Sequence, residues 1–224
     1  MTAATVDGDA AGPRGGPDRG ADAADLHRDP QAVDPATAAR GFVFAATGDA
    51  YTALARRAAR TLAQVTPGAR IDLFTDRAVA DPVFERVHRL EDGWFRPKMA
   101  AARRSRFAET VLLDADIVPL TDLSELFDTL DRADLACAPS FSRSRAMMAP
   151  GPDTPRVAPL WNSGVMVFRR SPALHRLMQA WEDEVRRRDL PLDQGVFRRL
   201  LWQSDLRVTP LPLEYNMKML QFLD

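Results

Sequence analysis

The sequence predicts one α/β domain with a mainly parallel central sheet flanked by helices. Short unbroken apolar runs of strand length alternate with longer stretches whose apolar residues recur at helical spacing. The first three segments read strand, helix, strand, the unit that builds a parallel sheet. No internal repeat interrupts this order, so a single domain over residues 41–224 accounts for it.

Phe42 to Ala46 is an apolar run long enough for a buried strand, broken by Thr47, Gly48 and Asp49. Thr52 stands where it could cap a following helix, on which Leu54, Ala58, Leu62 and Val65 recur at helical spacing; Pro67-Gly68 ends it. Ile71 to Thr75 is a second strand. A helix over Ala100 to Phe107 precedes a fully apolar strand at Val111, Leu112 and Leu113. Leu123, Leu126, Phe127 and Leu130 mark an amphipathic helix, and Leu135 to Ala138 a further strand. Residues 139–160, rich in Pro, Ser and Arg, read as a loop before a strand at Gly164 to Phe168. Ser171-Pro172 combines a capping hydroxyl with proline at the first helical position. The helix it opens sets Leu174, Leu177, Met178, Trp181 and Val185 on one face. A last helix spans about Asp193 to Trp202, and Leu206 to Thr209 is a late strand.

The 224 residues suffice for one substantial domain. A formal net charge of -1 gives no electrostatic argument for a nucleic-acid partner, and none is expected. Cys137 stands alone and forms no internal disulfide. No apolar run approaches the roughly 18 residues of a membrane span, so no transmembrane segment is expected. Residues 1–40, rich in Ala, Asp, Gly and Pro, lack a cationic start followed by an apolar stretch. They read as a disordered leader and not as a secretory signal. A cytoplasmic protein is expected, with peripheral attachment at the inner membrane face left open.

The sharpest chemical feature is Val111-Leu112-Leu113-Asp114-Ala115-Asp116, a buried strand with two carboxylates at its C-terminal end. Ligands of open α/β sheets bind beyond the carboxyl ends of the strands. Two acids at i and i+2 across a bend can converge on one hard cation, which in turn takes diphosphate oxygens. The competing explanation is a strand end followed by a turn, where Asp is common.

This segment resembles the Asp-x-Asp motif of GT-A-fold glycosyltransferases, particularly the glycogenin and family 8 group. Phe44 to Tyr51 is similar to that family's first strand and loop, which receive the nucleotide base. Lys98 matches a position where the family often carries a basic residue. Trp161 to Phe168 resembles its Asn-Ser-Gly strand, which lies against the donor sugar. Asp193-Gln194 matches a pair near the reacting carbon, and Tyr215-Asn216 a late Tyr-Asn pair. The order and spacing agree over about residues 42–218.

The resemblance implies a GT-A-like (Rossmann-like) fold and a retaining sugar transfer from a nucleotide-diphosphate donor. The acceptor would be a glycan, lipid, protein or small molecule. Mn²⁺ or Mg²⁺ would be held by Asp114 and Asp116. Ala46, Thr47, Tyr51, Lys98, Ala115, Asn162, Ser163 and Gly164 would join those two acids around the donor, and Asp193 and Gln194 would be catalytic. Family 8 members usually add a histidine ligand after the last helix, whereas His27, His88 and His175 all lie earlier. His88 and Asp224 are the first candidates for a further ligand.

Each match has its own chemistry and a plainer alternative. Tyr51 offers an aromatic face to a base and Thr47 a hydroxyl. Asn162 can both donate to and accept from sugar hydroxyls. Gly164 lets a backbone approach a ligand, or simply opens a strand. Asp193 could be no more than a helix cap, and Lys98 a solvated surface lysine. Two other functions remain open from sequence. One is a haloacid-dehalogenase-type phosphatase, which also places Asp-x-Asp after a strand; the other is a non-catalytic nucleotide-sugar binding module.

The leader lacks the apolar residues needed to offset the entropy of ordering. Deleting residues 1–40 is therefore expected to leave the melting temperature nearly unchanged in a thermal scan, and a drop of many degrees would show that it packs on the domain.

Overall fold

A computed structural model describes residues 39–140 and 153–217; most of the leader and the chain beyond residue 217 lie outside these. In chain order the elements are β1 (Arg40–Ala46), α1 (Gly48–Val65), β2 (Ile71–Thr75), β3 (Arg86–Arg89), α2 (Lys98–Arg104) and β4 (Glu109–Leu113). A 3₁₀ helix (Ser124–Asp131), β5 (Leu135–Pro139), β6 (Trp161–Arg169), α3 (Pro172–Arg188), α4 (Gln194–Trp202), β7 (Val208–Pro210) and a 3₁₀ turn (Leu213–Asn216) follow. Among the described residues the strands form one sheet in the order β3-β2-β1-β4-β6-β5-β7. Neighbours are parallel except that β6 runs antiparallel to both β4 and β5.

Strand side chains alternate between two cores, as the pleat requires. Phe42, Phe44, Val111 and Leu113 point to the face covered by α1 and the first 3₁₀ helix, against Ala55, Ala58, Leu62 and Phe127. Val43, Phe74, Leu112, Met166 and Phe168 point to the other face, against Met99, Leu177, Trp181 and Phe197 from α2, α3 and α4. Trp181 and Phe197 stack with ring centroids 4.4 Å apart. Cys137 is part of this core, and burial pushes its thiol pKa up, away from reactivity. No helix among the described residues is long and apolar enough to cross a membrane.

The α/β expectation holds, and so does the Ser171 cap, whose Oγ accepts from Leu174 N at 3.1 Å. Several local expectations do not. The first strand begins at Arg40, paired with Glu109, two residues before the apolar run that marks it. Thr52 caps nothing: α1 starts earlier, after Thr47, and the buried Thr52 hydroxyl meets that of Thr75 at 3.0 Å. The buried stripe of α1 runs through small residues, Ala55, Ala58 and Ala59, leaving Leu54 exposed. The helix expected from Ala100 starts at Lys98 and ends at Arg104, and the segment around Leu126 is 3₁₀. β3 was not anticipated, because Arg86, Val87, His88 and Arg89 carry no apolar run.

One buried charge cluster ties β2 and β3 to the segment after α2. Arg106 donates to both oxygens of the fully buried Asp72, at 2.8 and 3.0 Å, and His88 Nε2 lies 2.9 Å from the same carboxylate. Burial alone would raise the Asp72 pKa, but His88 and Arg106 together hold it below the usual carboxylate range. A carboxylate depressed in the folded state adds stability above its unfolded pKa of about 3.9, and that stability is lost as pH falls through the folded value. Asp72→Asn is expected to cost about 3 kcal/mol in urea unfolding at pH 7, because Arg106 loses its main buried counter-ion. The variant should also lose stability less steeply than the parent on acidification.

Candidate functional site

β2 lies to one side of β1 and β4 to the other, so the chain changes direction across the sheet at β1. A crevice for ligands opens at the carboxyl ends of strands at such a point. The β1–α1 turn and the segment after β4 meet there. Gly48 makes the first turn with φ +75, a conformation that favours glycine. Its N–H donates to Asp76 Oδ1 at 2.9 Å. Ala46 is buried at the end of β1, and Tyr51 projects from the first turn of α1 with 59% of its surface exposed. The Thr47 hydroxyl donates to Trp94 O at 3.1 Å and ties this turn to the segment before α2.

Asp114 follows directly on β4. Its N–H donates to Gly164 O at 2.8 Å, continuing the antiparallel ladder with β6. Lys98, at the start of α2, donates from Nζ to Asp114 Oδ1 at 2.6 Å, to Ser163 Oγ at 3.1 Å and to Ser163 O at 3.2 Å. It is therefore no solvated surface lysine: one ammonium joins the ends of β4 and β6. Ala115 is buried in the turn and Asp116 is exposed.

Gly164 is held in a narrow place. A Cβ there would stand 2.9 Å from the nearer atom of the Asn216 side-chain amide and 3.1 Å from Asp114 Oδ2. Asn162 Oδ1 accepts from Gly164 N at 3.1 Å, so this amide oxygen supports the strand start. Hydrogen bonding orients the Asn216 amide with its oxygen toward the N–H groups of Gly164 and Val165, at 3.3 and 3.2 Å. The late Tyr-Asn pair thus reaches the same corner, and Tyr215 itself donates to Glu125.

Asp193 precedes α4 but makes no side-chain cap. Its buried carboxylate pairs with Arg96 at 2.6 Å, while its carbonyl accepts from Trp181 Nε1 and Phe197 N, both at 3.1 Å. The cap explanation for this acid therefore fails. Gln194 donates from Nε2 to Trp161 O at 3.1 Å, which leaves Oε1 as its atom for a ligand.

The histidines stay apart from this corner. His88 is engaged with Asp72 and stacks on Phe74 at 4.3 Å. His175 belongs to α3, which begins where β6 ends, at the opposite end of the sheet from Asp114. His27 and Asp224 lie outside the described residues. No group of three His, Cys, Asp or Glu among the described residues is arranged to hold a metal ion. Asp114 and Asp116 nevertheless fit a hard divalent cation as donors, since Lys98 occupies only one oxygen of Asp114.

The sequence reading missed Asp76 and Arg96. Asp76 carried a usable signal, an acid directly after the apolar strand Ile71–Thr75, the same position that singled out Asp114. Arg96 carried none, since only its contact with Asp193 distinguishes it from the chain's other arginines.

A family profile described as nucleotide-diphospho-sugar transferase matches residues 43–224. A search of curated proteins gives no match. Among solved structures the chain resembles the glycosyltransferase GlyE of Streptococcus pneumoniae TIGR4, with 19% identity and a TM-score of 0.55 over 80% of this chain and 46% of that one. The galactosyltransferase LgtC, solved with donor and acceptor sugar analogs, matches with 14% identity and a TM-score of 0.56 over 77% of this chain and 73% of LgtC. The bifunctional glycosyltransferase WbbM matches with 16% identity and a TM-score of 0.54 over 82% and 40%. These likenesses are of fold, and the chain spans less than half the length of GlyE and of WbbM.

The crowding at Gly164 gives a direct test. Gly164→Ala must push Asn216 or Asp114 aside, at a cost of about 1–3 kcal/mol. Urea unfolding should show that loss, and a variant as stable as the parent would mean that the two side chains move freely.

Proposed function

The chain belongs to the nucleotide-diphospho-sugar transferase family, and on that premise we propose that it transfers a sugar from a nucleotide-diphosphate donor to an acceptor with retention at the anomeric carbon. One observation carries this reading: Lys98, Asp114, Ser163, Gly164 and Asn216 converge at the carboxyl end of β4. Structural ion pairs alone would not need a glycine at the same corner, where even a Cβ would crowd Asn216 and Asp114.

Asp114 and Asp116 would hold Mn²⁺ or Mg²⁺, both of which accept carboxylate oxygens. The chemistry supplied by such an ion would be neutralisation of charge on the leaving diphosphate, an effect worth several kcal/mol in a transition state. The remaining roles belong to side chains of this chain. Lys98 fixes the Asp114 carboxylate in one orientation and adds a positive charge where phosphates would lie. Tyr51 offers an open ring for the base to stack on, beside Ala46 and Thr47. Gly164 lets the sugar approach the β6 backbone, flanked by Asn162 and Ser163. Asp193 and Gln194 would face the anomeric carbon.

The family and fold lend the haloacid-dehalogenase alternative no support. Donor binding without turnover would leave the chain a nucleotide-sugar binding module. Release of nucleoside diphosphate from UDP-, GDP- and dTDP-hexoses with Mn²⁺ separates these outcomes. Asp114→Asn and Asp116→Asn should each lower turnover by on the order of 10³-fold, because an amide is a poor ligand for a hard cation. Mn²⁺ and the nucleotide diphosphate should each tighten the other's binding in titration calorimetry, as linkage requires. Full activity in excess EDTA, or in both variants, would overturn the metal-dependent reading.

A further inference from the structure

The segment from Trp94 to Lys98 touches three corners of the site. Trp94 O takes the Thr47 hydroxyl, Arg96 takes Asp193, and Lys98 takes Asp114. Two of these corners already have a reading. The middle contact does not, and it contains an arginine that no sequence motif marks.

Arg96 is held on two sides and left open on a third. Nη1 pairs with Asp193 Oδ2 at 2.6 Å, and Nη2 donates to Pro191 O in the turn before α4. Nε is buried and has no hydrogen-bond partner among the described residues. A buried donor left unpaired costs about 1–3 kcal/mol, so this guanidinium is not placed for the greatest stability. Phe95 lies under it, 4.8 Å from ring centre to guanidinium carbon, although the ring itself is 60% exposed. The fork is thus fixed by the ring below, the carbonyl beyond and the carboxylate ahead.

Asp193 shows the same priority from its own side. An aspartate at a helix start gains about 1 kcal/mol by capping the free N–H groups, yet this one makes no cap and turns to Arg96. Its carbonyl, clamped by Trp181 and Phe197, fixes the backbone, so the ion pair decides only where the carboxylate points.

Resting on the transferase reading above, we infer that Arg96 is a positioning residue for the transfer reaction: it holds the Asp193 carboxylate in the orientation the reacting sugar requires. Arginine suits the task because its rigid fork binds Asp193 and Pro191 O at once, which a lysine cannot do. A misplacement of about 1 Å in such a group can cost on the order of 10²-fold in rate.

The test compares Arg96→Met, Arg96→Lys, Asp193→Asn and the double variant Arg96→Met/Asp193→Asn. Nucleoside diphosphate release from the hexose donor that the parent turns over is measured with Mn²⁺, and donor affinity by calorimetry. Arg96→Met should lower kcat by on the order of 10²-fold while KM and donor affinity stay within about threefold. Arg96→Lys should recover part of the loss, and the double variant should be no slower than Asp193→Asn alone, since both changes remove one function. A plain tie between segment and helix would instead lower stability and donor affinity together and leave kcat in place. Turnover in Arg96→Met within threefold of the parent, or losses that multiply in the double variant, would overturn this inference alone. If Arg96→Met fails to bind donor, the Arg96→Lys kcat and the Asp193→Asn comparison decide. A parent without turnover on any donor would overturn the transferase reading, and the role of Arg96 with it.

Discussion

β1 and β4 run parallel and adjacent, Phe42 beside Val111 and Phe44 beside Leu113, and the candidate site takes its position from that pairing. Both strands are buried on both faces, so their ends are held by two cores at once. β2 flanks β1 on one side and β4 on the other, which brings the turn after β1 and the segment after β4 to the same carboxyl edge of the sheet. Carboxylates in a turn after a strand are ordinary. Two of them beside a glycine turn, across a switch in strand order, are what the proposed donor site rests on.

The charge arrangement separates architecture from site. Asp72 and Arg106 are almost fully withdrawn from water, with His88 and Glu85 completing their shell. Such a cluster gains specificity of pairing at a large desolvation cost, and its partners are saturated. The Lys98–Asp114 and Arg96–Asp193 pairs differ. One oxygen of Asp114 remains for a ligand, and one nitrogen of Arg96 has no hydrogen-bond partner among the described residues. Unsaturated charge beside a crevice is costly in a structural role and useful in a binding one. The stretch from Trp94 to the first residue of α2 supplies both cations, which explains why so short a stretch reaches three corners of the site.

Much of the fold was legible, and the reasons for the exceptions are specific. Mostly apolar runs located β1, β2, β4, β5 and the core of β6, because strands buried on both faces are apolar nearly throughout, and Asp72 within β2 is the exception that Arg106 and His88 satisfy. The same runs say nothing of direction, so the reversal of β6 could not be read from them. β3 is an edge strand with Arg86, Val87, His88 and Arg89, held by backbone pairing with β2 and by charge, and it left no apolar mark. Thr52 illustrates a different failure. Its type suits a cap, but Gly48 starts the helix earlier, and a buried hydroxyl pair with Thr75 took its side chain instead.

The candidate site divides in the same way. Asp114 and Asp116 stood out because local sequence determines a strand end, and Ser171 because local sequence determines a cap. Gly164, Asn162 and Asp193 stood out through resemblance to a family, with their contacts unknown. Only the tertiary structure decided that Asp193 faces Arg96 and not its own helix, and that Lys98 is shared between two strand ends. It alone brought Asn216 to within a van der Waals contact of Gly164. The physical reason is range. Apolar periodicity and capping act over a few residues and are written in order along the chain. The partners of a charged side chain 16 or 97 positions away in sequence, as Asp114 and Asp193 are from Lys98 and Arg96, are chosen by the sheet order that brings them together.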